Sequence, residues 1–134
     1  IGVMSLLLCF FSYLIGNFKA AVWVSHALSL PDPSSFGSKN PGATNVLRLG
    51  NRSAAGLTLV LDAGKACVSF AVASYLGYSF FVAVLCSLCA VLGHVVPLSG
   101  AGGRGVASAL GFMCCVHLGF AASAVCVWWL LLRC

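Results

Sequence analysis

The sequence predicts an all-α integral membrane protein of about four transmembrane helices, with two polar loops on one face. Three observations carry that prediction. Of its 134 residues, 61% are hydrophobic and 7% are charged, whereas a soluble domain carries about 25% charged residues. The apolar residues lie in long runs without strand-type alternation, so the spans are helices. The polar residues gather in two turn-rich stretches between those runs.

Segment one runs from about Ile1 to Val24, its clean apolar run ending at Gly16. A span needs about 20 mostly apolar residues. Asn17 and Lys19 mark the approach to the interface, where a lysine snorkels. Ile1 to Ile15 is not expected to be a signal peptide, because no basic region precedes it and no small-residue cleavage site follows. Both ends of the chain read as cut, at Ile1 and after the apolar Val125–Leu132, so a partial sequence or a shortened descendant of a longer protein is expected.

The first polar stretch is His26 to Arg52. Leu30-Pro31-Asp32-Pro33 is loop chemistry, since each proline restricts the residue before it. Gly37-Ser38-Lys39-Asn40-Pro41-Gly42-Ala43-Thr44-Asn45-Val46-Leu47-Arg48 follows. Pro41-Gly42 is a turn dipeptide. Ser38, Asn40, Thr44 and Asn45 supply neutral hydrogen-bonding groups, and Lys39 and Arg48 supply charge. That inventory suits a phosphate, whose many acceptor oxygens need donors. Ala43 to Leu49 contains no breaker and predicts a short helix ending at Gly50, with Gly42 and Ala43 near an N-terminus that favours anions. A plain interhelical loop is the other reading of the same composition.

Segment two runs from about Ser53 to Leu76. Its Asp62 and Lys65 sit at i, i+3 on one helix face. Charges inside a span are expensive and face a bundle interior or a polar cavity. Mutual neutralisation that holds two helices in register is favoured over substrate contact. Tyr75–Ser79 is a turn with interfacial tyrosines. Segment three runs from about Phe80 to Leu98, with Gly93-His94 near its end and Pro97 closing it. The second polar stretch is Ser99-Gly100-Ala101-Gly102-Gly103-Arg104-Gly105, and it feeds a helix starting at Val106. A glycine-rich turn at a helix start recurs as a phosphate cradle. His94 lies ten residues before Arg104, which makes it a candidate for the site as well as for a structural hydrogen bond. Segment four spans about Val106 to Leu132, with His117 packed or paired inside the bundle and Trp128 and Trp129 at the interface.

Parity places both polar stretches on one side, and with them Lys39, Arg48, Arg52 and Arg104. The turn on the opposite side has no basic residue, so the polar face is expected to be cytoplasmic; Arg133 would then be external. Asp32 and Asp62 are the only acids and the net charge is +5. The basic residues form no stripe, so a nucleic-acid partner is not expected. Seven of the eight cysteines lie within apolar runs, where a thiol behaves as a small hydrophobe. Cys86-x-x-Cys89 has no second pair or nearby histidine cluster to complete a metal site.

These motifs resemble the PlsY-type acyl-phosphate:glycerol-3-phosphate acyltransferases of bacterial phospholipid synthesis. The resemblance rests on Leu30–Pro33 with Gly37–Arg48, on Asp62-x-x-Lys65, on Gly93-His94-x-x-Pro97, and on Gly102-Gly103-Arg104-Gly105-Val106-Ala107-Ser108. It implies acyl transfer from acyl-phosphate to the 1-hydroxyl of glycerol 3-phosphate, giving lysophosphatidate, at a bacterial inner membrane. It implies no cofactor, no metal and no protein nucleophile, with catalysis by positioning. Glycerol 3-phosphate would be bound by Ser38, Asn40, Asn45, Arg48 and Arg104. Acyl-phosphate would be cradled by the backbone at Gly102, Gly103 and Gly105, with His94, Asp62 and Lys65 in support. The partners implied are those two substrates and the lipid bilayer. Residues 1–134 would form a single membrane domain, the N-terminal two-thirds of a longer family fold.

The sequence departs from the family in three places. Gly100 and Ala101 stand where the family has Phe-Lys, and the loop from Pro97 is shorter. Arg104 replaces a lysine, which keeps the charge but changes the geometry. The family's C-terminal His- and Asn-bearing motif lies beyond Cys134. Two other functions fit parts of the pattern. A small anion-binding or transporter-like membrane protein would use intramembrane Asp62 and Lys65, but its site belongs at mid-membrane, whereas both loops read as interfacial. An inactive, degenerate relative would keep the fold alone.

Overall fold

The computed structural model describes residues 2–118, 122, 125–127 and 129. Among them there are six helices and no strand: α1 (Val3–Gly16), α2 (Ala20–Ala27), α3 (Ala43–Arg48), α4 (Arg52–Tyr75), α5 (Phe80–Val95) and α6 (Val106–Val116). The start of segment one at Ile1, the far part of segment four and Trp128 lie outside the described residues.

The helix ends follow from local chemistry. The Asn51 side chain caps α4 by accepting from the Ala54 N–H at 2.8 Å, and Ser79 stands at the start of α5, accepting from Val82 N–H at 3.5 Å. Such caps satisfy one of the orphan donors of a first turn. The α4–α5 turn closes when Gly77 adopts a left-handed conformation and Tyr78 N–H reaches back to the Ala73 carbonyl at 3.1 Å, the pattern of a Schellman close.

Helix α4 is 24 residues long, about 36 Å at 1.5 Å per residue, enough to cross a hydrocarbon core of about 30 Å. It is the one described helix that is by itself long and apolar enough to span. Segment one is not the single straight span expected. It breaks at Asn17–Lys19, and α1 and α2 meet at 43°. The physical reason lies in its polar residues. Asn17 turns its side chain onto the Tyr13 carbonyl at 2.7 Å, competing with the helical ladder. The Phe18 carbonyl, freed by the break, accepts instead from Lys65 Nζ on α4. Broken helices are tolerated at membrane depth when protein partners satisfy the freed groups.

The interior is built from small residues. Ala20, Ala21, Ala54, Ala66, Ala83 and Ala90 are fully buried, while Phe10, Phe11, Leu59, Val60, Phe80 and Phe81 point outward. That inversion of a soluble core suits lipid, which is as apolar as leucine; small residues let backbones approach closely. At the α1–α5 crossing a Cβ on Gly16 would collide with the Ala90 carbonyl, and one on Gly93 with the Tyr13 carbonyl. Ser87 Oγ donates to the Ala66 carbonyl at 2.9 Å and Ser108 Oγ to the Asp62 carbonyl at 2.9 Å, fixing α5 and α6 to α4.

Gly16→Ala and Gly93→Ala should each lower stability by roughly 1–3 kcal/mol through overpacking, read as a fall in thermal unfolding temperature in detergent. Gly56→Ala, where a Cβ meets nothing within 4 Å, should be neutral or stabilising by up to about 1 kcal/mol. Equal melting of all three variants would show that α1 and α5 are not in backbone contact.

Candidate active site

The first polar loop is folded around one side chain. Asn45, on α3, is 0% exposed. Its Nδ2 donates to the Pro33 carbonyl at 2.6 Å and to the Phe36 carbonyl at 2.8 Å, and its Oδ1 accepts from Ser38 N–H at 3.2 Å. It thereby ties residues 33–38 onto α3. This differs from the expectation that Asn45 presents its amide to a ligand: the side chain is turned inward and used up by the loop. Asp32 pins the entry, its Oδ1 accepting from Ser34 N–H at 2.8 Å. Buried Val46 anchors α3 in a cluster with Ala21, Val24, Ala54 and Ala55.

The clasp leaves the charged residues outside. Ser38, Lys39 and Arg48 are exposed, and Asn40 is half-buried over Gly42. The Arg48 stem runs beside Gly37. Lys39 holds a left-handed backbone at φ 57°, a conformation that disfavours a non-glycine residue by roughly 1–2 kcal/mol. No side chain caps the start of α3.

The second loop folds back over the end of α5. Gly103 N–H donates to the His94 carbonyl at 3.1 Å, and a Cβ at Gly103 would strike the His94 ring. Gly105 opens α6 from a left-handed φ of 73°, which glycine adopts without strain. Arg104 is exposed. Three groups from the break in segment one hold residues 96–99: Tyr13 Oη donates to the Val96 carbonyl (2.7 Å), Asn17 Oδ1 accepts from Leu98 N–H (2.6 Å), and Lys19 Nζ donates to the Ser99 carbonyl (2.7 Å). Lys19 thus binds the loop. Sequence reasoning assigned Tyr13 and Asn17 no role in the site. The signal was the pair Asn17 and Lys19 in an apolar run.

Below the loops lies a buried polar cluster. Asp62 is 2% exposed, Lys65 5% and His94 8%. The Lys65 ammonium has three N–H donors. They meet Asp62 Oδ1 at 2.7 Å, His94 Nδ1 at 3.2 Å and the Phe18 carbonyl. Asp62 and Lys65 therefore neutralise each other inside the bundle and link α4 to α5 and to the break. The two loops meet above this cluster, where Pro41, Gly102 and Gly103 line a narrow crevice with Asn17, Phe18 and His94. A second space, a groove of about 340 Å³, runs from Arg104 and Gly105 along Ala109, Leu110 and Met113 of α6 to Val125. Its lining is mostly apolar, with Arg104 as the charged residue among those that form it.

His117 is the C-cap of α6; it is exposed and its side chain is not without a partner. The described cysteines are free, with Cys9 and Cys86 Sγ atoms 3.8 Å apart. Among the described residues no three His, Cys, Asp or Glu side chains gather in a way that could hold a metal ion.

A helical bundle with small-residue interfaces, an outward apolar surface and two cation-bearing loops at one end defines an integral membrane protein. The comparisons with known proteins give its family. A family model described as glycerol-3-phosphate acyltransferase matches residues 6–134. The chain is 49% identical to a glycerol-3-phosphate acyltransferase of Bordetella petrii, over 87% of this chain and 57% of that protein. It is 48% identical to one of Thiobacillus denitrificans, over 83% of this chain and 58% of that protein. The crystal structure of PlsY, an integral membrane glycerol 3-phosphate acyltransferase, in its glycerol 3-phosphate form superposes with a TM-score of 0.83 at 32% identity, covering 96% of this chain and 65% of that one. The lysophosphatidic acid form gives 0.80 at 30% identity, over 93% and 63%. This chain belongs to the glycerol-3-phosphate acyltransferase family. It spans rather less than two-thirds of the length of these relatives.

Asn45→Asp should loosen the first loop as much as Asn45→Ala, because a carboxylate cannot donate to Pro33 and Phe36. A lower unfolding temperature in both variants, with faster amide hydrogen exchange at Ser38 in Asn45→Ala, is the expected result; wild-type melting of Asn45→Asp would show that the two donated bonds are dispensable. Lys65→Met should destabilise the bundle by roughly 3–5 kcal/mol, since it strands the Asp62 charge. Asp62→Asn combined with Lys65→Met should recover part of that loss. A double variant that melts lower than Lys65→Met alone would contradict mutual neutralisation.

Proposed function

We propose that this protein transfers a fatty acyl group from an acyl-phosphate to the 1-hydroxyl of glycerol 3-phosphate, giving lysophosphatidate and inorganic phosphate. The observation that carries this reading is the meeting of two loops at one end of the bundle. One bears Ser38 and Arg48, the other is a glycine turn bearing Arg104, and an apolar groove leads away from it. Relatives with this fold include PlsY in glycerol 3-phosphate and lysophosphatidic acid forms, which supports the same substrate and product here.

The reaction joins two anions, so its main obstacle is electrostatic. The hydroxyl oxygen of glycerol 3-phosphate attacks the acyl carbonyl carbon, the bond from that carbon to the phosphate oxygen breaks, and the hydroxyl proton leaves with the phosphate. An acyl-phosphate is already activated, so orientation and charge neutralisation supply most of what is needed. Arg48, with Ser38 and Asn40 beside it, holds glycerol 3-phosphate. Arg104 bridges toward it from the second loop, whose backbone at Gly102, Gly103 and Gly105 cradles the acyl-phosphate head. The groove along α6 takes the acyl chain. Asn45 acts indirectly, by shaping the loop. No cofactor or metal takes part in this scheme.

Lys39, Arg48, Arg52 and Arg104 lie at the loop end, and the Tyr75–Ser79 turn carries no basic residue. The positive-inside rule supports a bacterial inner membrane location with both loops cytoplasmic, and residues 1–134 as one membrane domain of a longer family fold. A transporter-like reading gains nothing from Asp62 and Lys65, because they pair with each other and the three Lys65 donors are all engaged inside the bundle.

Membranes that lack the native activity, carrying this protein and supplied with acyl-phosphate and labelled glycerol 3-phosphate, should form lysophosphatidate. Arg48→Ala and Arg104→Ala should each raise the glycerol 3-phosphate KM about ten- to a hundredfold, the loss of one charge-assisted contact. Unchanged kinetics in well-inserted variants would remove those residues from the site.

A further inference from the structure

The two nitrogens of the His94 ring are in different situations. Nδ1 lies 3.2 Å from Lys65 Nζ and 3.4 Å from Asp62 Oδ1. A lysine ammonium only donates, so at the shorter contact Nδ1 accepts and the ring proton is on Nε2. Nε2 then carries an N–H with no hydrogen-bond partner among the described residues. It lies against Gly103, where a Cβ would overlap it. Among the described residues, the polar side-chain atoms that are fully buried without a partner are the Ser25 and Ser69 hydroxyls. The Nε2 atom is not one of them, and His94 lines the crevice between the loops.

The crevice is small. It offers about 10 Å³ of free space, close to the least that holds one water-sized group. A whole phosphate does not fit, but one of its oxygens does. Its walls come from both loops, at Pro41 and at Gly102 and Gly103, and Arg104 is the next residue along. A donor facing such a place is satisfied by water or by an anionic oxygen, and the charged acceptor makes the stronger bond.

We infer that His94 is a substrate-contacting residue, whose Nε2–H donates to one oxygen of a phosphate group seated on the Gly102–Gly105 loop. Lys65 is its positioning residue: it fixes the tautomer from Nδ1 while anchored to Asp62 and to the Phe18 carbonyl. This rests on the reading of that loop as a phosphate cradle. The phosphate of the acyl donor and that of glycerol 3-phosphate share the required chemistry.

The test uses the purified protein in detergent, ¹⁵N-labelled at histidine, titrated with inorganic phosphate and separately with glycerol 3-phosphate. The His94 Nε2–H signal should move on binding while Lys65 keeps Nδ1 unprotonated. His94→Asn, which replaces Nδ1 but not Nε2, should weaken phosphate binding about ten- to a hundredfold. His94→Gln, whose amide nitrogen reaches the Nε2 position, should recover most of it. In turnover assays, a KM rise confined to acyl-phosphate or confined to glycerol 3-phosphate identifies which phosphate is held. An Nε2–H signal unmoved at saturating phosphate, or equal losses in the Asn and Gln variants, overturns the inference. If His94→Asn does not fold, the wild-type titration decides alone. A wild-type protein that binds phosphate through Nε2–H but makes no lysophosphatidate sinks the acyltransferase reading and leaves this one standing. Normal turnover with His94→Asn unchanged does the reverse.

Discussion

The structure depends on one buried cation. Lys65 lies inside a bundle of membrane helices, where an unpaired ammonium would be prohibitively unfavourable. Its three donors need three acceptors, and each comes from a different place: a carboxylate one helical turn back on α4, a ring nitrogen on α5, and a main-chain carbonyl between α1 and α2. The last is available only because segment one is broken there. An unbroken helix would use the Phe18 carbonyl in its own ladder. The kink, the register of α4 against α5 and the orientation of His94 are therefore one solution to one electrostatic problem.

The rest of the site hangs from that break. Tyr13, Asn17 and Lys19 surround it, and all three reach residues 96–99. Those residues run directly into the glycine turn that carries Arg104. On the other side, α2 continues from the break and packs with Val46 of α3, beneath the first loop. Both loops are thus referred to the same few residues of a kinked helix. Close backbone approach at Gly16 and Gly93 makes that reference rigid, because neither helix can shift without driving a carbonyl into the other.

Much of this was legible in the sequence. The helical membrane class, the Tyr75–Ser79 turn and the short helix after Pro41-Gly42 follow from composition, breakers and caps. Asp62 and Lys65 read as partners because their spacing places them on one face. The kink was not legible, since Asn17 and Lys19 mark an interface as plausibly as a break. The carbonyl that decides between them takes its partner 47 residues away. The inward turn of Asn45 was hidden for a similar reason. A side-chain amide serves a ligand or a loop equally well, and only the positions of the Pro33 and Phe36 carbonyls tell which.

The arrangement separates two kinds of charge. Asp62 and Lys65 cancel within the bundle, so they add little field at the surface. Arg48, Lys39 and Arg104 are exposed at the loop end and form no ion pair among the described residues. A site for anionic ligands needs that division. Cations already engaged by internal acceptors cannot also neutralise an incoming phosphate, and cations left without structural partners must stay near water until a ligand arrives. The lipid side imposes the complementary demand. In the proposed reaction an acyl chain would enter from the bilayer without desolvating charge, and the groove along α6 is lined by apolar residues apart from Arg104. On the proposed reading, cations on the loops and an apolar groove on α6 would let a soluble anion and a lipid reach each other without either leaving its own medium.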